Sequence, residues 1–224
     1  MDVSTKETTA RLAVHVWIDV ICPWCYIGEE RLDTAISRAD HGAEVDVRLH
    51  TFQLDPSAPE EPRSVLDYLA QKFGISRAQA RAMEENVAQL ARAEGLPYAV
   101  DHSVGNTFDA LRLVHLAAEH RVAWEFLRAV QRRVFSGDEK AFEHDTLIEV
   151  GAQLGVPERE LRDVLGSDRF ADVVQADHQR ALALGVTGVP FVLLGDRLAI
   201  PGAASTEQYA AAIDQAWQQT HSAP

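Results

Sequence analysis

The stretch AVHVWIDVICPWC, residues 13–25, decides the fold. Residues 13–20 mix alternation with β-branched side chains over a short run, the pattern of a buried strand. Cys22-Pro23-Trp24-Cys25 follows at once. Pro23 suits the first turn of a helix, where a missing N–H costs nothing. Helical spacing then places Cys25, Gly28, Leu32, Ala35 and Ile36 near one face up to about residue 39, and His41-Gly42 stops the run. Residues 44–52 (EVDVRLHTF) alternate cleanly and read as a second strand. Strand, CxxC, helix, strand implies a parallel pair joined by a right-handed crossover.

Beyond this unit, residues 55–63 (DPSAPEEPR) are too proline-rich to continue a strand or helix. The character then turns helical. Helices are expected over 64–73, and from Ser76, with Gln79 completing a capping box, to about 94, where Gly95 and Pro97 end it. Asn106 caps a helix running to about 121, and further helices cover 123–135, 145–153, 158–165 and 168–184. Strand character returns at 191–194 and 197–200, joined by Gly195-Asp196 as a hairpin. A helix over 205–218, capped by Ser205, closes the chain. The fold class is α/β: β-α-β and β-β-α halves around a central sheet with a large inserted helical domain. The division is 12–55 with 186–220 as one discontinuous domain, 63–185 as the insertion, and 1–11 and 221–224 as tails, the last frayed.

Composition narrows the function. The chain has 224 residues and a net charge of −13, with 21 basic against 34 acidic residues. Nucleic acid and anionic membranes call for a basic surface, so neither is an expected partner. Residues 1–11 carry no apolar core of a secretory signal, and no stretch approaches the roughly 18 apolar residues of a membrane span. The expected location is therefore cytoplasmic, and the expected assembly a monomer or homodimer. Only two cysteines are present, Cys22 and Cys25, which excludes a disulfide scaffold. In a reducing compartment such a pair points to catalysis, sensing or metal binding.

A thiolate, not a thiol, attacks a disulfide. Cys22 stands where a strand hands over to a helix N-terminus, and the unpaired N–H groups and positive dipole end there favour an anion. Cys25 follows one helical turn later, placed to attack a mixed disulfide on Cys22 and release the product. Three rival readings stand beside dithiol chemistry. They are an inert buried pair, a zinc site completed by His115 and His120 at x₄ spacing, and a glutathione-dependent isomerase or transferase. A second signal is GVTGVP, residues 185–190. Pro190 at the start of a strand is a candidate cis peptide, and the main chain of Val189 is a candidate edge for substrate strand pairing. Asp19, at the end of the first strand, is a candidate for proton transfer to Cys25, against a simple capping role. Trp24 is read as a rim beside the site, Tyr26 as core, His15 as a satisfied strand histidine, and Asn106 as an N-cap or a site-facing residue. Arg112, Arg132 and Arg133 are read as lying on solvated helix faces.

Four segments, DVICPWCYIG (19–28), NTFDALRL (106–113), GVTGVPF (185–191) and Pro201-Gly202-Ala203, together resemble the DsbA-like branch of the thioredoxin superfamily, and within it the cytoplasmic FrnE-type members. The similarity spans about residues 13–218. The resemblance implies a thioredoxin-like fold, Cys22 as nucleophile, Cys25 as resolving cysteine, Pro190 as the cis-proline facing them, and Val189 as the substrate-contacting backbone position. Relatives include kappa-class glutathione transferases and 2-hydroxychromene-2-carboxylate isomerases, whose nucleophile position usually carries serine. This chain keeps both cysteines and so departs toward dithiol chemistry. The expected activity is thiol–disulfide exchange on protein or small-molecule disulfides and dithiols. Its alternatives are the glutathione-dependent isomerase or transferase of a small aromatic substrate, and a redox-sensing interaction protein. No bound cofactor or metal is expected, and glutathione or thioredoxin are expected exchange partners.

Overall fold

The first strand, β1 (Leu12–Ile18), is buried along its length except at Ala13, because it runs through the middle of a four-stranded sheet. The sheet order is β2-β1-β5-β6, with β2 at Val45–Thr51, β5 at Phe191–Leu194 and β6 at Leu198–Pro201. β2 runs parallel to β1 and β5 antiparallel to it, so Val14 faces Val47 on one side and Leu194 on the other. A strand flanked on both sides and covered on both faces reads as a continuous apolar run, which is the pattern of LAVHVWI. Each fully buried Val, Leu or Ile in it contributes about 1.5–3 kcal/mol. Gly195 and Asp196, both at φ 56°, form the left-handed two-residue turn between β5 and β6.

Helix α1 (Pro23–Arg38) makes the crossover from β1 to β2 and packs against the last helix, α9 (Thr206–His221). Seven helices lie between the sheet's two halves: α2 (Val65–Phe73), α3 (Arg77–Ala93), α4 (Phe108–Glu119), α5 (Ala123–Phe135), α6 (His144–Gln153), α7 (Glu158–Leu165) and α8 (Ala171–Ala183). The capping box at Ser76 and Gln79 forms as expected. The helix expected from Asn106 begins two residues later at Phe108, whose N–H is nevertheless held by the Asn106 side chain at 2.9 Å. A two-residue ladder, β3 (Arg63–Ser64) with β4 (Ser103–Val104), was not legible in sequence, being too short to show a period.

Arg112 corrects the expectation of a solvated face. It is buried, and its guanidinium donates to the carbonyls of Val164 and Ser167 at 2.6 Å each and pairs with Asp109 at 2.6 Å. It thereby adds donors at the C-terminal end of α7, where the Val164 carbonyl also accepts from the Ser167 N–H. Arg132 is exposed and Arg133 half-buried between Asp138 and Glu149, closer to expectation. The computed structural model describes residues 11–221. The tail assignments for 1–10 and 222–224 lie outside the described residues, whereas Arg11 bonds the Val45 carbonyl and His221 ends α9. No helix among the described residues is long and apolar enough to cross a membrane.

Candidate active site

β1 ends beside the sheet centre, and the chain turns through Asp19–Ile21 so that Cys22 becomes the N-cap of α1. Its sulfur accepts from the Cys25 N–H at 3.4 Å, taking one of the donors a helix start leaves free. The Cys22 thiol donates to the Val189 carbonyl at 3.2 Å. Both cysteines are free and buried. The Val189–Pro190 peptide is cis. Pro190 sits against Gly28, where an added Cβ would lie 3.2 Å from the proline ring and 3.3 Å from the Ala203 side chain. Glycine at 28 therefore lets α1 and the proline loop close on each other. Gly28→Ala gains up to about 1 kcal/mol of helix propensity but crowds the proline at about 1–3 kcal/mol. The expected net is a Tm lower by about 2–4 °C for a chain of this size. A melt equal to or above wild type would contradict this account of the contact.

Cys22 lies in a groove of about 540 Å³ whose walls are mostly apolar, among them Trp24, Leu54, Leu69, Phe73 and Met83. Trp24, Leu54, Phe73 and Met83 are large apolar side chains left exposed, and all four line this one groove. Trp24 thus takes the rim position expected of it, and Tyr26 is core, stacked on Phe135 at 4.9 Å. At the groove's edge Lys72 is held by Asp55 and by the Tyr68 hydroxyl, each at 2.7 Å. The walls contributed by α2 and α3 were not legible as a patch, because exposure depends on which neighbours the helices find.

Beneath the pair lies a buried polar cluster. Asp19 is fully buried, its Oδ2 accepting from the Leu54 N–H at 2.7 Å; burial pushes its carboxyl up to about 7 against that bond. Glu29, one turn after Cys25 on α1, is also buried, and burial pushes it up to about 8 although the Gln131 amide donates to it at 3.1 Å. The same amide reaches the Asp19 carbonyl at 3.5 Å. Asp19 Oδ1, Glu29 Oε2 and Gln131 Oε1 have no hydrogen-bond partner among the described residues. The Cys25 thiol is pushed well above its ordinary range by burial first, then by Cys22 and Glu29. Titratable groups near neutrality around a reactive pair suit proton transfer. Sequence reasoning found Asp19 and missed Glu29. The one available signal was a glutamate four residues after Cys25, on the face that Leu32 and Ala35 mark as buried.

Asn106 is not brought to Cys22. It binds the Gln53 amide at 2.9 Å and lines a separate cavity with Phe108 and Phe142, so its site-facing assignment is corrected. The two histidines of the zinc alternative are each held by other side chains. His115 bonds Thr51 at 3.1 Å and His120 bonds Glu160 at 3.0 Å, and no group of three or more metal-ligating side chains assembles among the described residues.

Residues 13–214 match the DSBA-like thioredoxin domain. The structure of a probable DsbA oxidoreductase from Streptomyces coelicolor is 37% identical, with a TM-score of 0.87 over 93% of this chain and 91% of that one. YwbO of Bacillus subtilis is 25% identical over 202 residues, covering 89% of this chain and 94% of that protein. A 2-hydroxychromene-2-carboxylate isomerase shares the fold at 17% identity, with a TM-score of 0.68 over 94% of this chain and 98% of that one.

Proposed function

The chain belongs to the DSBA-like thioredoxin domain family, and from that premise we propose that it is a thiol–disulfide oxidoreductase with Cys22 as nucleophile and Cys25 as resolving cysteine. The observation that carries the reading is the Cys22 sulfur itself. It sits at the N-cap of α1, 3.2 Å from the Val189 carbonyl and facing an open apolar groove, with Cys25 one turn behind it. The Cys22 thiolate attacks one sulfur of a substrate disulfide. A Cys22–substrate bond forms, the substrate S–S bond breaks, and the departing thiolate takes up a proton. Cys25 then gives its proton to one buried carboxylate, that of Asp19 or of Glu29, and attacks the Cys22 sulfur; the Cys22–substrate bond breaks, and the second substrate sulfur leaves as a thiolate that takes up a proton. The protein ends with a Cys22–Cys25 disulfide, and the substrate has gained two electrons. Run backwards, the same steps oxidise a dithiol.

Trp24, Val189 and Pro190 are the groups a substrate meets on either side of Cys22. The groove favours disulfides flanked by apolar groups, because its edge cation, Lys72, is already held by Asp55. The pair is reset by exchange with a thiol such as glutathione or thioredoxin, without a bound cofactor, in the cytoplasm. One observation supports a second reading as a glutathione-dependent isomerase or transferase: the groove, with Trp24, Tyr68 and Phe73 in its lining, has the volume of a small-ligand site.

The test is equilibration of the protein in glutathione redox buffers with trapping of free thiols. A reversible Cys22–Cys25 disulfide is expected, with a potential within roughly −270 to −120 mV. No disulfide at any poise would overturn the oxidoreductase reading and leave the isomerase one.

A further inference from the structure

The groove beside Cys22 is apolar along most of its walls, yet it holds a carboxyl that dithiol exchange does not use. Among the described residues lining it the one acid is Glu84, on α3 between the apolar wall residues Met83 and Val87. Glu84 is only 5% exposed. Its Oε2 accepts from the Tyr98 hydroxyl at 2.6 Å, and its Oε1 accepts from no donor among the described residues. Tyr98 ties this acid to the cysteine. Its phenol is raised by burial, then by the charge of Glu84 and that of Cys22, so the hydroxyl stays protonated in the field of both groups.

A buried carboxylate calls for a cation. The groove's own cations do not serve Glu84. Lys72 is taken by Asp55 and the Tyr68 hydroxyl. His102 has its ring 4.0 Å from Glu84 Oε2, but its Nδ1–H donates to the Ala99 carbonyl at 2.9 Å, and burial holds it below the ordinary histidine value, so it is neutral. No lysine or arginine among the described residues pairs with Glu84, and Asp101 adds a second negative charge to its surroundings. Burial first, and then Asp101, raise the Glu84 carboxyl above its ordinary value against the Tyr98 bond.

We propose that Glu84 is a specificity-determining residue that receives an alkylammonium group of the substrate, so that the preferred disulfides carry an amine beside the S–S bond. This deepens the oxidoreductase reading and rests on it. The apolar walls take the methylenes of such a chain, and its charged end donates to Glu84 Oε1. The net charge of −13 draws cations toward the protein at long range but does not seat them. An alkylammonium comes either from a small aminothiol disulfide or from a lysine beside a peptide cysteine, and the two differ in reach.

Methanethiosulfonate reagents on the reduced full chain at pH 8, in about 0.5 M KCl to screen the long-range field, test this. The Cys22 thiolate attacks the alkylthio sulfur, the new S–S bond forms, and the bond to the sulfonyl sulfur breaks, with methanesulfinate leaving. Rates are divided by those of free 2-mercaptoethanol. At least one of the aminoethyl and aminohexyl reagents is expected to react about fivefold or more faster than the hydroxyalkyl reagent of the same length, and sulfonatoethyl more slowly than hydroxyethyl. A preference confined to aminoethyl points to small aminothiol disulfides; one that includes aminohexyl points to lysine beside a peptide cysteine. In Glu84→Gln, which keeps an acceptor for Tyr98, the preference is expected to shrink to within about twofold. No preference in the wild type, or the same preference in a folded Glu84→Gln, overturns the proposal. Where that variant does not fold, the wild type decides: hexylammonium is expected to protect Cys22 from iodoacetamide at concentrations where hexanol does not, and equal protection overturns it. An inert pair in redox buffers with an intact charge preference would defeat the oxidoreductase reading alone. A reversible disulfide without charge preference would defeat this inference alone.

Discussion

Replacing Cys22 by serine is expected to end thiol–disulfide exchange, with a loss on the order of a thousandfold or more, because a hydroxyl neither ionises near neutrality nor forms the mixed disulfide. The fold should survive. A serine hydroxyl accepts from the Cys25 N–H and donates to the Val189 carbonyl as the thiol does, and Cys22 is an N-cap, where serine is favoured. Cys25→Ser should behave differently. Cys22 remains free to attack, but nothing resolves the product, so mixed disulfides with substrate accumulate. Non-reducing electrophoresis and mass spectrometry of the two variants read this directly: adducts on Cys22 in Cys25→Ser, none in Cys22→Ser. Full exchange activity in Cys22→Ser would remove the nucleophile from the mechanism. Retained turnover on a small aromatic substrate by Cys25→Ser would instead favour the isomerase reading, which needs no resolving thiol.

How far this was legible in sequence follows from the range of each interaction. β1, α1, α5, α7 and the β5–β6 hairpin are specified by neighbours within a few residues, by period, caps and turn residues, and their expected bounds fall within two residues of those observed. Cys22 and Cys25 are fixed by the same local logic, since a strand-to-helix junction places both. What did not show is long-range. Arg112 reads as a surface residue until α7 ends beside it, 52 residues on. Asn106 reads as an N-cap or a site-facing residue until Gln53 takes its side chain into another cavity. Glu29 drew no reading from the sequence, and only the packing of Gln131 on α5 shows it enclosed. A carboxyl or guanidinium is read as exposed by default, and only the packed structure shows which ones are enclosed.

Glu29 is where enclosure has the largest consequence. In the unfolded chain its carboxyl titrates near 4.5, and in the fold burial lifts it to about 8. Between those values the folded protein holds a proton that the unfolded chain has released, so stability falls as pH rises through this window and the loss is complete above it. For a fully buried group that difference amounts to about 5 kcal/mol. Glu29→Gln keeps the shape and leaves an acceptor for the Gln131 amide but cannot ionise. It should therefore match wild type at pH 5 and exceed it at pH 9, by a Tm difference on the order of 10 °C. The same substitution removes an acceptor for the Cys25 proton, so release of a mixed disulfide from Cys22 should slow about a hundredfold. In the wild type that release should accelerate as pH rises through about 8, and the variant should lose this inflection. Denaturation midpoints from pH 5 to 9, with single-turnover release rates over the same range, separate the two effects. A variant with wild-type pH dependence in both would show that Glu29 neither opposes folding nor serves the resolving thiol. A stabilised variant with unchanged release would assign the proton transfer to Asp19, whose carboxyl, at about 7, is the other buried acid beneath the pair.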